Sequence, residues 1–298
     1  MLIFKCADIT DKGKIDKYIV NSHNGCENTA ANFIMWRCMY ETSIYYDEKY
    51  AILRTRTDCK TSYSFMAEKK DYEKAVNRIL EECMCRNIPF RIQYADENMK
   101  NELEKLFPDY FMYEHDRNYS DYVYLQSDLA MLAGKKFHAK RNHCNKFLMQ
   151  YPNAVVEEIN DGNKAECCEM NENWCKINNV DSENAGKVIR HEFCAVKEGF
   201  DHFDELGLFG ICVRIDGKIV AFTMGSEKNS EMFVTHFEKG YYEYDGVYAF
   251  INREMAKRLD KYKYINREED CGEEGLRKAK ISYNQVYMID KYVVTLKK

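Results

Sequence analysis

The stretch INREEDCGEEGLRKAK, residues 265–280, sets four charged residues in a row before a glycine turn and a short basic run. Arg267, Glu268, Glu269 and Asp270 read as the end of a strand, and Gly272 and Gly275 permit a tight turn into a helix. Arg277 and Lys280 then stand one helical turn apart. Acyl transfer from an ester needs a deprotonated attacking amine and a stabilised carbonyl oxyanion. Glu269 or Asp270 could hold or deprotonate that amine, and Lys280 or Arg277 could stabilise the oxyanion or a phosphate. The same residues could instead form an internal salt-bridge set, with acids favoured near the helix N-terminus.

A second candidate lies in MFVTHFEK, residues 232–239. Period two in a strand puts Met232, Val234, His236 and Glu238 on one face. His236 is a candidate general base, because imidazole titrates near neutrality; the alternative is a hydrogen-bonded, semi-buried histidine. Glu238 could orient it only if the strand bends, since i and i+2 side chains stand about 7 Å apart. A third candidate is basic. Residues 129–156 contain no acid, and GKKFHAKRNHCNKF lies within them. Lys136, Lys140 and His143 fall at i, i+4 and i+7, one face of a helix, with Arg141 beside them. Like charges at that spacing destabilise a helix. Compensation comes either from acids of the fold or from an anionic partner, such as the acceptor end of a tRNA. The substrate-binding candidates are therefore Lys136, Lys140, Arg141, His143, Glu238, Arg267 and Arg277.

These residues need elements to hold them. The three prolines, Pro89, Pro108 and Pro152, each separate a helix-like stretch from a strand-like one. VRIDGKIVAF carries Asp216-Gly217 between two β-rich runs, the signal for a two-residue hairpin. Residues 208–238 read as a three-strand meander. DGVYAFINREMAKRL follows, with Val247, Phe250, Ile251, Met255 and Leu259 on one helical face and Asp245 as N-cap. A strand (264–267), a helix (273–280) and a last strand (286–296) close the chain. The first half repeats this order: a helix over 27–40, three strands over 43–66 with turns at Asp47-Glu48 and Asp58-Cys59-Lys60, then helix, strand, helix and strand. Two copies of one α/β unit are implied, 1–118 and 119–298.

Composition limits the rest. A hydrophobic content of 45% over 298 residues suits folded cores. No run approaches the ~20 apolar residues that span a bilayer. The N-terminus, MLIFKCADITDKGK, turns polar too early for an export signal. Thirteen cysteines without a CxxC pair read as reduced thiols of a cytoplasmic protein, with no structural metal. A net charge of −5 argues against bulk coating of nucleic acid but leaves room for a local basic groove.

The element order helix, meander, helix, strand, helix, strand is that of the GNAT acyltransferase fold. In that fold a turn of the form Gln/Arg-x-x-Gly-x-Gly/Ala leads into a helix whose N-terminal amides bind the pyrophosphate of acyl-CoA. Here the segment reads Glu243-Tyr-Asp-Gly246-Val-Tyr248. Gly246 fits, Glu243 puts an anion beside a pyrophosphate, and Tyr248 replaces a small residue. The segments CENTAANFIMWR, GKKFHAKRNHCNKFLMQYP, IVAFTMG, HFEK, GVYAFINREMAKRL and YINREEDCGEEGLRKAKISY, in this order, resemble the C-terminal domain family of the bacterial phosphatidylglycerol lysyltransferases, above all its stand-alone members. The resemblance implies an α/β (α+β) fold of two GNAT-like units in tandem, each a mixed, mostly antiparallel sheet flanked by helices. It further implies transfer of an amino acid from aminoacyl-tRNA, as co-substrate and without a cofactor, to an amine or hydroxyl of a small molecule, peptide or lipid headgroup. An acyl-CoA N-acyltransferase with a divergent CoA site, or a non-catalytic binding module on the same fold, are the alternatives.

Overall fold

The computed structural model describes residues 1–19, 25–57, 60–178 and 183–297, with backbone alone for 183–189. The expected turn at Asp58-Cys59 lies outside the described residues. Strands β1 to β7 are Lys5–Cys6, Ser43–Tyr46, Tyr50–Thr57, Lys60–Ala67, Arg91–Ala95, Phe111–His115 and Asp121–Leu125. Strands β8 to β14 are Val155–Glu158, Leu208–Ile215, Lys218–Asn229, Met232–Gly240, Tyr264–Asn266, Tyr287–Ile289 and Tyr292–Leu296. Helices α1 to α5 are Lys12–Ile19, Ala30–Met35, Tyr72–Arg86, Glu97–Leu106 and Gln126–Met131. Helices α6 to α10 are His138–Gln150, Lys164–Ile177, Glu183–Asp201, Val247–Arg258 and Glu274–Ile281. Contacts divide the chain into two units, Met1–Asp121 with Ile289–Lys298, and Tyr122–Met288.

The first unit holds a mixed sheet in the order β1-β2-β3-β4-β5-β14-β6. Strand β3 alternates as a two-sided strand must. Ile52 enters a core with Tyr63, Phe65, Val76, Ile79, Ile92 and Leu103, while Ala51 and Leu53 enter another with Ile15, Ala30 and Ile44. One expectation fails here. The single closing strand expected over 286–296 is two strands, and the second returns to the first unit's sheet, antiparallel to β5 and β6. Its anchor is Lys291, 5% exposed, whose ammonium pairs with Glu27 and Asp121 at 2.5 Å each and donates to Cys26 Sγ at 3.4 Å. The donor atoms of Cys26, Glu27 and Asp121 lie within 4.8 Å of one another, close enough to hold a metal ion, and the lysine ammonium binds all three.

The second unit holds a mixed sheet in the order β13-β7-β12-β11-β10-β9-β8. The hairpin between β9 and β10 turns on Asp216 and Gly217, both at positive φ, as the primed turn requires. Helix α9 buries Val247, Phe250, Ile251 and Met255, and Leu259 just beyond it is buried too. Its N-cap is Gly246, at φ 88°, with no side-chain cap; Asp245 is salt-bridged to Lys146 instead. Both units run meander, helix, strand, helix, strand, and both make one parallel pair after the meander, β4 with β5 and β11 with β12. The architecture is two GNAT-like α/β units in tandem.

Candidate functional site

Strands β11 and β12 pair in parallel from Met232–Tyr264 to Val234–Asn266. Beyond that point β11 runs on to Gly240, while the segment after β12 continues the pairing with β7, where the Arg267 amide donates to the Tyr122 carbonyl. Two side-chain pairs span the diverging strands. The first is Arg267 with Glu238, at 2.8 Å and about nine-tenths buried on both sides. Asn252 of α9 donates to the other Glu238 oxygen at 3.3 Å. Arg267 Nη1 and Asn252 Oδ1 are buried without a hydrogen-bond partner among the described residues. Such orphaned buried groups are rare.

Tyrosines and a lysine complete this cluster. The Arg267 guanidinium lies 4.9 Å from the Tyr283 ring and 5.9 Å from the Tyr124 ring. Burial works against the Arg267 charge, but Glu238 and the two tyrosines outweigh it, and its pKa rises. Lys140, half-buried on α6, places its ammonium 4.0 Å from the same Tyr283 ring. Burial first, and then Arg267, lower the Lys140 pKa to about 8. Two cations thus contact one aromatic ring, near a single carboxylate, Glu238.

The second spanning pair is His236 with Glu268. His236 Nδ1 lies 2.8 Å from Glu268 Oε1, and its Nε2 lies 2.8 Å from Ser226 Oγ. Burial pushes the imidazole down to about 3. A neutral ring with Nδ1–H toward the carboxylate leaves Nε2 to accept from the Ser226 hydroxyl. The expectation that His236 and Glu238 share a face fails at a bulge. Thr235 opposes Gly225 and Phe237 opposes Met224, leaving His236 as the extra residue. The bulge resets the alternation, so Glu238 meets α9 while His236 meets Ser226. The orienting carboxylate is Glu268, at φ 58°, and not Glu238.

The opening motif is largely a closed set. Asp270 is fully buried and takes both Nε and Nη2 of Arg277 at 2.9 and 2.7 Å. It also accepts from the Tyr122 hydroxyl at 2.6 Å and the Gly272 amide at 2.9 Å. The Arg277 contact above all, with Tyr122 and Gly272, holds the carboxyl far below the usual range. That is the wrong direction for a general base. Buried Lys280 donates to the Arg267 carbonyl at 2.6 Å and to the Glu269 carbonyl, so it secures the strand end. Glu269 is half-buried, with the Cys271 thiol 3.8 Å away.

The basic stretch is also redistributed. The helix begins at His138, so Lys136 sits in the preceding 3-10 turn and pairs with Asp128 at 2.9 Å. The expected single face of Lys136, Lys140 and His143 does not form. Arg141 donates to the carbonyls of Leu132 and Gly134. His143 is exposed on its side chain, and its carbonyl has another use. A Cβ on Gly246 would lie 2.4 Å from the His143 oxygen and 3.2 Å from the Phe147 Cβ. Phe147 and Phe250 stack at 4.6 Å. The backbone of α6 therefore packs on the N-terminus of α9, where an acyl-CoA enzyme would receive pyrophosphate. Gly246→Ala combines this clash with a positive φ and is expected to cost roughly 2–3 kcal/mol; denaturant unfolding measures it, and a loss below ~0.5 kcal/mol would contradict this packing.

Sequence reasoning missed Ser226, Glu268, Asn252 and Tyr283. Glu268 was visible as part of the acidic run, but its left-handed backbone was not. Asn252 lies on the predicted face of α9, one residue after Ile251, where the apolar pattern hides it. No helix of the described residues is long and apolar enough to cross a membrane.

The model of the family described as phosphatidylglycerol lysyltransferase, C-terminal, matches residues 20–295. A solved conserved protein of unknown function from Bacteroides thetaiotaomicron VPI-5482 is 37% identical, with a TM-score of 0.93 and full coverage of both chains. The structure of L-PGS from Bacillus licheniformis shares the fold at 9% identity, with a TM-score of 0.67, covering 98% of this chain and 93% of that one. An uncharacterised protein of Mycoplasmoides gallisepticum is 24% identical over 206 residues, which is 67% of this chain; the match spans 64% of that protein's length.

Proposed function

The chain belongs to the family of phosphatidylglycerol lysyltransferase C-terminal domains, and on that premise we propose that it is an aminoacyltransferase, moving an amino acid from aminoacyl-tRNA onto an acceptor amine or hydroxyl. The observation that carries the choice of donor is the contact of the α6 backbone with Gly246. It occupies the helix end that acyl-CoA would need, and Glu243 adds an anion beside it.

The reaction centre is Glu238, Arg267, Asn252, Lys140 and Tyr283. The free Nη1 of Arg267 is a donor for the oxyanion that forms as the ester carbonyl is attacked. Asn252 Oδ1 and Glu238 are the acceptors suited to the α-ammonium of the aminoacyl group. Asp270, Arg277 and Lys280 hold the backbone of residues 266–271, which carries Arg267. The exposed Lys135, His138 and His143 of the basic segment lie on the surface available to tRNA phosphates.

The test offers the protein tRNA charged with labelled amino acid. Binding is expected to weaken steeply with salt and with charge reversal at Lys135, and label is expected to leave the tRNA ester in the presence of an amine or hydroxyl acceptor. Failure to bind charged tRNA at low salt would sink the reading. Acetyl-CoA and longer acyl-CoAs are expected to give no thermal shift. A bound ligand at 100 times its Kd adds about 2.7 kcal/mol of stability, so a clear shift would favour the acyl-CoA alternative.

A further inference from the structure

Among the described residues, Lys140 has no ion-pair or hydrogen-bond partner; its close neighbour is the Tyr283 ring, 4.0 Å from the ammonium. The opposite case surrounds it. Lys136 and Lys146 have carboxylate partners, Lys280 and Arg141 hold backbone carbonyls, and Arg267 holds Glu238. The one acid near Lys140, Glu238, is already held by Arg267 and Asn252 and offsets the burial only in part. A half-buried lysine so placed, beside an arginine and an aromatic ring, is a costly arrangement for a structural cation. It suits a lysine that works as a neutral amine, because a neighbouring cation and desolvation both favour the uncharged form.

Resting on the transferase reading above, we infer that Lys140 is the general base that deprotonates the acceptor. The geometry places it for this: Lys140 and Arg267 flank one tyrosine ring, at 4.0 and 4.9 Å. The base and the oxyanion donor therefore lie against the same ring, near enough for the Arg267 charge to act on Lys140. The acceptor hydroxyl gives its proton to Lys140 Nζ as its oxygen bonds to the aminoacyl carbonyl carbon. The carbonyl electron pair moves to the oxygen facing Arg267 Nη1. On collapse, the bond to the tRNA 3′ oxygen breaks and that oxygen takes the proton from Lys140. The amine is regenerated and no other reactant is needed. The lowered pKa of Lys140, about 8, leaves a useful neutral fraction near pH 7.

The test compares two acceptors with labelled aminoacyl-tRNA as donor. Glycerol needs a base; hydroxylamine is already an uncharged nucleophile at neutral pH. Wild type is expected to transfer to both, with glycerol transfer rising toward a plateau near pH 8. Lys140→Met is expected to lose glycerol transfer by at least ~100-fold while hydroxylamine transfer falls by less than ~5-fold. Lys140→Arg, which keeps the charge but not the titration, should behave like Lys140→Met. Equal loss with both acceptors would make Lys140 a binding residue and overturn the inference, as would full glycerol activity in either variant. A wild type that transfers to neither acceptor brings down the transferase reading, and this inference with it. Thermal unfolding of each variant shows that it is folded before activity is compared.

Discussion

Arg267→Ala destabilises the second unit by about 3–5 kcal/mol, the range for stranding one partner of a buried ion pair. The pair is about nine-tenths buried on both sides, so water replaces the lost guanidinium only in part. Glu238 would keep only the Asn252 amide at 3.3 Å. The Tyr124 ring would also lose its cation, and the Tyr283 ring would keep only Lys140. For a unit of this size each kcal/mol shifts the melting temperature by roughly 2–4 °C, so a drop on the order of 10 °C is expected. Glu238→Leu combined with Arg267→Met removes both charges together and should restore most of the stability. That double variant should be inactive. A stable, inactive double beside an unstable single would separate the cost of the buried charge from its use. If Arg267→Ala costs under ~1 kcal/mol, the pair is solvated and is not the buried ion pair described above.

How much of this was legible beforehand follows from what each signal depends on. The meander and its turn rest on local chemistry, and Asp216-Gly217 took the positive φ values that the dipeptide predicts. The faces of α9 follow from period, which needs only the sequence. The contents of the site do not. Period two placed His236 beside Glu238, and one inserted residue at a bulge separated them. A bulge leaves no reliable mark in one sequence. The charged run after β12 stands out in the sequence, but its spacing does not divide it among partners. Alternation sends Arg267 to Glu238 and Glu268 to His236, and Asp270 closes on Arg277 through a turn. Neighbours in sequence thus serve three different contacts. Sequence shows Lys140 only as one cation of a basic stretch; its distinction is the lack of an ion-pair or hydrogen-bond partner among the described residues, which only the packed structure reveals.

That missing partner gives the opposite sign from Arg267. Lys140→Met is expected to stabilise the protein at pH 7, by about 1–2 kcal/mol. Full conversion of its lowered pKa would give over ~3 kcal/mol, and partial exposure reduces this. Methionine keeps the length of the stem and its contact with Tyr283 while removing the desolvated charge. The pH dependence fixes the cause. Above about 10.5 the amine is neutral whether the chain is folded or not. Between about 10.5 and 8 the unfolded chain holds a proton that the folded chain releases, so wild type gains stability as pH rises through that window. Below about 8 the folded state carries the charge and its whole penalty. The gain of Lys140→Met over wild type should therefore be constant near pH 6–7 and shrink as pH rises from about 8 toward 10.5. Other lysines titrate alike in both proteins and cancel in the difference. A loss of stability at pH 7, or a difference that does not change with pH, would mean that Lys140 is an ordinary solvated cation. A gain that disappears on schedule would show that the fold retains this lysine against its own stability, the pattern expected of a residue kept for chemistry.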